Sequence, residues 1–126
     1  MSKNIECTEH KHHEIIVEIA QKEMYEDSCI LDICNILKVL SEPSRLKIVL
    51  ALSKGEMCVY HIVEAVKSNQ SAVSHQLRVL KDNNIVKSKR EGQSIVYSLM
   101  DEHIMQIISL VKIHVEEWLW NSKLKI

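Results

Sequence analysis

The 126-residue sequence predicts a mainly α-helical fold with one β-hairpin. Three observations lead there. Hydrophobic residues make up 46% of the chain, yet only two glycines, one proline and no phenylalanine interrupt it, which is too little turn chemistry for a sandwich or barrel. Apolar residues recur at helical spacing through most of the length. Strand-like alternation is confined to one stretch, between Ile85 and Leu99. A chain of this length holds one hydrophobic core, which argues against a multidomain enzyme.

Taken in order, Met1 to His13 lacks apolar periodicity and carries Cys7, His10, His12 and His13. We expect residues 1–13 to be a mobile tail ahead of a single domain at 14–126. Ile15, Ile16, Ile19 and Met24 suit a helix from Glu14 to Glu26. In 28–41, Ile30, Ile33, Cys34, Leu37 and Leu40 share one helical face, with Ser28 as N-cap. Cys29 and Cys34 on that helix point about 140° apart. They are poor partners for one ion and read as packing residues.

Ser41-Glu42-Pro43-Ser44 reads as a helix start with proline in the first turn, and Leu46, Val49 and Leu50 form the inward stripe until Lys54-Gly55 ends it. A short helix over 58–66 follows. Residues 67–70 break the pattern, and 71–83 form a second helix with Val73, Leu77 and Leu80 inward. Two short helices joined by a four-residue turn make a helix-turn-helix. Strand 85–90, turn Glu91-Gly92 and strand 93–99 then add a basic hairpin, which makes the whole a winged helix. The final helix, 102–120, presents Ile104, Ile107, Ile108, Val111, Val115, Trp118 and Leu119 along a stripe longer than a small core requires. That excess predicts a homodimer joined through this C-terminal helix.

Charge is unevenly distributed. Residues 1–27 hold three lysines against seven acids, whereas 67–94 hold six basic residues against two acids, a local basic face. Gln70, Ser71, Ser74, His75 and Arg78 lie on the outer side or at the start of the 71–83 helix, where such side chains donate to phosphates and base edges. Lys89, Arg90 and Gln93 on the wing complete a candidate surface for double-stranded DNA. Two glycines cannot build a phosphate-binding glycine loop, and no nucleophile elbow occurs, so an enzyme is not expected. Neither a leader-like start nor an apolar run long enough for a membrane span is present. The expectation is a cytoplasmic protein without a membrane partner, whose four cysteines, lacking a C-x-x-C pair, form no disulfide framework.

Asp101, His103, His114 and Glu117 form a set of ligand-type residues. His103 and His114 share a helix face but stand about 16 Å apart along it, so one ion cannot bridge them. An antiparallel second copy of the helix brings His103 of one chain level with His114 of the other. Each end then gathers Asp101 and His103 with His114 and Glu117, a thiolate-free N2O2 set suited to Zn(II) or Co(II).

With these stretches in view, the sequence resembles the ArsR/SmtB family of metal-responsive winged-helix repressors over roughly residues 30–120. The resemblance rests on Leu40-Ser-Glu-Pro-Ser-Arg-Leu46, Ser71-Ala-Val-Ser-His-Gln-Leu77, Lys89-Arg-Glu-Gly-Gln93 with Tyr97, and the Asp101/His103/His114/Glu117 set, which points to the zinc-sensing branch. It implies a dimer that binds an operator when metal-free and releases it when Zn(II) binds between subunits. It also suggests that His114 sends its second ring N–H to the backbone near Asn84. In cadmium- and lead-sensing members a Cys-Val-Cys-Asp stretch joins cysteines of the N-terminal tail. This chain reads Cys58-Val59-Tyr60-His61, so Cys58 and His61 with Cys7 and a tail histidine such as His10 make a second candidate site, of S2N2 type, for zinc or Cd(II). The alternatives are a thiol-type cadmium sensor using Cys7 and Cys58, a cysteine redox switch, a zinc-buffering protein and a hydrolytic zinc site. A hydrolytic site needs an open coordination position, and a buffer needs no basic wing.

Overall fold

The computed structural model describes residues 9–124, in the order α1 (His10–Lys22), α2 (Asp27–Leu40), α3 (Pro43–Leu52), β1 (Met57–Cys58), α4 (Val59–Val66), α5 (Gln70–Asp82), β2 (Val86–Glu91), β3 (Ser94–Leu99) and α6 (His103–Leu124). Cys7 lies outside the described residues. The chain forms two compact units, one ending at Asn35 and one beginning at Ile36.

The first unit holds α1 and most of α2. Helix α1 starts at His10, four residues earlier than the apolar pattern suggested, so His10, His12 and His13 are helical rather than part of an unstructured tail. Its first turn carries a side-chain pair: His10 Nε2 lies 2.8 Å from Glu14 Oε1, an i, i+4 contact. Helix α2 begins at Asp27, which puts Ser28 inside the helix instead of at its cap. Cys29 and Cys34 are exposed in the single chain, so the packing expected of them is not made within it.

The second unit contains the core. Ile48, Val49 and Leu52 of α3, Ile62 of α4 and Val73, Leu77 and Leu80 of α5 pack with Ile85, Val86 and Ile104 and with Val39 and Leu40 at the end of α2. Each such side chain contributes roughly 1.5–3 kcal/mol on leaving water. Leu50, expected inward, is 42% exposed, and Ile48 and Leu52 take the buried side of α3 in its place.

Helix ends fix the angles between these elements. Pro43 occupies the first position of α3, and the Glu42 carboxylate accepts the N–H groups of Ser44 (3.1 Å) and Arg45 (3.0 Å). Asn69 caps α5 through Ala72 N–H (2.9 Å). Helix α5 ends with the Ile85 N–H on Leu80 O (2.9 Å) and the Asn84 N–H on Lys81 O (3.0 Å), with Asn84 left-handed at φ 57°. This C-cap turns the chain straight into the wing.

The wing is antiparallel, with Glu91 opposite Ser94, and Gly92 (φ 60°) supplies the left-handed position that a two-residue turn needs. A third strand was not anticipated. Met57 and Cys58 pair with Tyr97 and Val96, giving the order β1-β3-β2. No helix among the described residues is long and apolar enough to cross a membrane.

Candidate metal centre and nucleic-acid interface

Asp101 sits just before α6, where the chain is not yet helical, and this lets two residues that would diverge on a regular helix converge. Its Oδ1 accepts the His103 backbone N–H at 3.0 Å, and its Oδ2 lies 3.3 Å from His103 Nδ1. Two ligands of a tetrahedral zinc with bonds near 2.0 Å are separated by about 3.3 Å. The pair therefore already stands one tetrahedral edge apart, and the His103 side chain is 77% exposed. His114 and Glu117 lie further along α6, both exposed. Among the described residues no three ligand-type side chains of one chain meet, in keeping with the length of helix between the two halves.

The second set is only partly assembled. Cys58 Sγ lies 3.3 Å from His61 Nδ1, and the His61 ring meets Tyr60 edge-on at 5.5 Å. The first turn of α4 thus brings together the thiol and imidazole expected from their i, i+3 spacing. His10 is engaged by Glu14.

On the nucleic-acid side, Val73, Leu77 and Leu80 anchor α5 so that Gln70, Ser71, Ser74, His75 and Arg78 are left exposed. Gln93 and Arg90 are exposed at the tip of the wing, with Arg90 Nε donating to Gly92 O at 3.3 Å. Lys89 is exposed too, but its ammonium bridges Glu56 (3.2 Å) and Glu91 (3.3 Å). Hydrogen bonds to these two carboxylates, Glu56 first, raise its pKa above the ordinary lysine value and offset its charge locally.

Two contacts that the sequence did not signal hold α5 in place. Arg45 donates from Nε to Val39 O at the end of α2 (2.8 Å) and from Nη1 to Gln76 Oε1 on α5 (3.2 Å). Lys81 Nζ donates to Ser88 Oγ on β2 at 2.8 Å, tying α5 to the wing. Neither follows from local spacing.

The profile of bacterial regulatory proteins of the arsR family matches residues 42–88, from the α3 cap into β2. Over 106 residues the chain is 36% identical to a cadmium resistance transcriptional regulatory protein CadC homolog of Staphylococcus aureus, covering 83% of this chain and 87% of that protein. The chain belongs to the ArsR/SmtB family. Another member, described as a transcriptional repressor SmtB homolog of Synechocystis sp., is 44% identical over 78 residues; this covers 62% of the chain and 59% of that protein's length. Among solved structures, the homodimeric winged helix-turn-helix DNA-binding domain of a possible ArsR-family regulator from Mycobacterium bovis superposes with a TM-score of 0.68 at 27% identity, covering 77% of this chain and 93% of that one. As an ArsR/SmtB protein the chain is a winged-helix, DNA-binding transcriptional regulator and not an enzyme.

Proposed function

We propose that the protein is a metal-responsive transcriptional repressor that binds operator DNA as a metal-free homodimer and leaves it when Zn(II) binds between subunits. The observation that carries this reading is the Asp101–His103 pair, held at a tetrahedral edge on the entrance of a helix that carries His114 and Glu117 further along. Asp101 and His103 would hold the ion together with the partner subunit's His114 and the partner subunit's Glu117. Leu110, Val111, Ile113, Val115, Trp118 and Leu119 are exposed along α6 in the single chain, an apolar surface that asks for a covering partner. The homodimeric Mycobacterium bovis domain supports the same assembly.

Bound metal would fasten two α6 helices and bias the spacing of the two α5 helices away from successive major grooves. Such coupling is typically about 1–3 kcal/mol. The test is fluorescence anisotropy on DNA from upstream of the protein's own gene, titrated with zinc. Tight binding by the apo-dimer, weakened by zinc in the parent and insensitive to zinc in His103→Ala, is the expected result. Zinc release that persists in His103→Ala overturns the assignment.

The Cys58–His61 contact favours a secondary, thiophilic reading at α4. Cys58→Ser would then weaken the thiolate-to-cadmium absorption band while zinc-driven release stays intact. Loss of zinc regulation in that variant would make α4 the regulatory site.

A further inference from the structure

A recess of about 180 Å3 opens between the first turns of α3, the end of α4 and the first half of α5. Its polar lining comes from Ser44 and Lys47 on α3, Lys67 and Ser68 at the helix-turn-helix turn, and Gln76 on α5. None of these belongs to the metal set, nor to the base-reading and wing residues.

The chemistry of this lining is one-sided. Neither Lys47 nor Lys67 is ion-paired among the described residues. Arginine carries donors only, so Arg45 Nη1 takes the oxygen of the Gln76 amide and leaves its NH2 group to donate elsewhere. Glu42, the carboxylate beside Ser44, is engaged by the Ser44 N–H, the Ser44 hydroxyl and the Arg45 N–H. What remains for an occupant is positive charge and hydrogen-bond donors, the requirements of an anion.

The surroundings indicate which anion. Lys47 and Lys67 also line a neighbouring recess together with Lys54, so positive charge runs as a stripe from Lys67 at the end of α4 past Lys47 on α3 to Lys54 just beyond it, the shape of a path for a polyanion. The stripe meets α5 at its Asn69-capped start, on the side of Ser68 and Ala72. We propose that this recess seats a backbone phosphate of the DNA duplex beside the base pairs that α5 reads, with Lys47, Lys67 and the Gln76 amide as donors. The inference rests on the DNA-binding reading above and adds to it the contact that fixes the register of α5 on the duplex.

The experiment is a salt titration of operator affinity by the full-length apo-protein. The slope of log K against log salt changes by about 0.9 per phosphate contact, so Lys47→Ala/Lys67→Ala should flatten it by about 2 for two protomers. It should weaken operator and scrambled duplex alike. Lys47→Arg/Lys67→Arg should keep the parent slope. Lys123→Ala, which removes one positive charge per protomer from the last turn of α6, should also keep it. Inorganic phosphate should compete no better than chloride at equal ionic strength.

An unchanged slope in the double alanine variant, with the parent still binding, overturns the recess and leaves DNA binding standing. An equal loss per charge removed in Lys123→Ala shows a diffuse field instead of a seated phosphate, and strong competition by inorganic phosphate reassigns the recess to a free anion. A parent that binds no duplex overturns both readings.

Discussion

Asp101 holds His103 at two points: one carboxylate oxygen takes its backbone N–H at 3.0 Å and the other stands 3.3 Å from its ring nitrogen. Half of the proposed inter-subunit site is therefore organised within one chain. Asp101→Asn keeps a cap for α6 but loses the negative charge of a direct ligand, and should weaken zinc binding, measured by competition with a chromophoric chelator. Unaltered affinity would reduce Asp101 to a helix cap.

The bridging of Lys89 by Glu56 and Glu91 separates it from Arg90. Glu56→Gln should remove one of the two carboxylates that hold the ammonium, leaving it to Glu91, and raise DNA affinity at low salt, with the gain disappearing at high salt as screening takes over. Arg90→Ala should flatten the salt dependence more than Lys89→Ala. Anisotropy at several salt concentrations checks both, and equal effects from the two alanine variants would mean that the carboxylates let go of Lys89 on DNA.

Glu42 has a pKa below the ordinary value of 4.5, chiefly because the Ser44 side chain and backbone donate to its carboxylate. A group with a depressed folded-state pKa adds stability above its unfolded pKa and loses that contribution as pH falls through the folded value. Glu42→Gln should accordingly melt below the parent at pH 7, and the gap should shrink at pH values under 4.5. Thermal melts across that range give the answer; a constant gap would assign the difference to packing alone.

Leu80 is fully buried, and its carbonyl accepts the N–H that turns α5 into the wing. Leu80→Ala should cost about 2–5 kcal/mol in urea unfolding, as deletions of this kind in packed cores do. Leu119→Ala, at a side chain exposed in the single chain, should instead lower the dimer association constant seen by sedimentation. A small loss at Leu80 would show that the core can collapse around the gap.

The parts of the fold legible in the sequence were those in which one element buries one face within the chain. Val73, Leu77 and Leu80 were marked by a helical period that ends at solvent on the other side, and all three are buried. Along α2 and α6 the same period identified apolar faces, but Ile33, Leu37, Val111 and Trp118 are exposed in the single chain, because periodicity says which face is apolar and not what covers it. Strand β1 was illegible: two residues cannot show alternation, and its existence depends on Val96 and Tyr97 far along the chain. The early start of α1 was hidden because its first turn, which carries the His10–Glu14 contact, has no apolar spacing to reveal it. At the candidate site, Cys58–His61 followed from local spacing and Asp101–His103 from the place of Asp101 at the helix entrance, whereas Lys89–Glu56 and Arg45–Gln76 join segments far apart in sequence.

The strand order β1-β3-β2 bears on how concentrated this protein can become without clumping. A sheet rim of unpaired backbone groups invites another strand to add to it. One rim here is β1, only two residues long, and the other is β2, which carries Lys87, Lys89 and Arg90. A strand arriving at that rim would have to strip water from several cations, and one arriving at β1 would find almost nothing to pair with. Strand addition is thus discouraged by charge at one rim and by the shortness of β1 at the other.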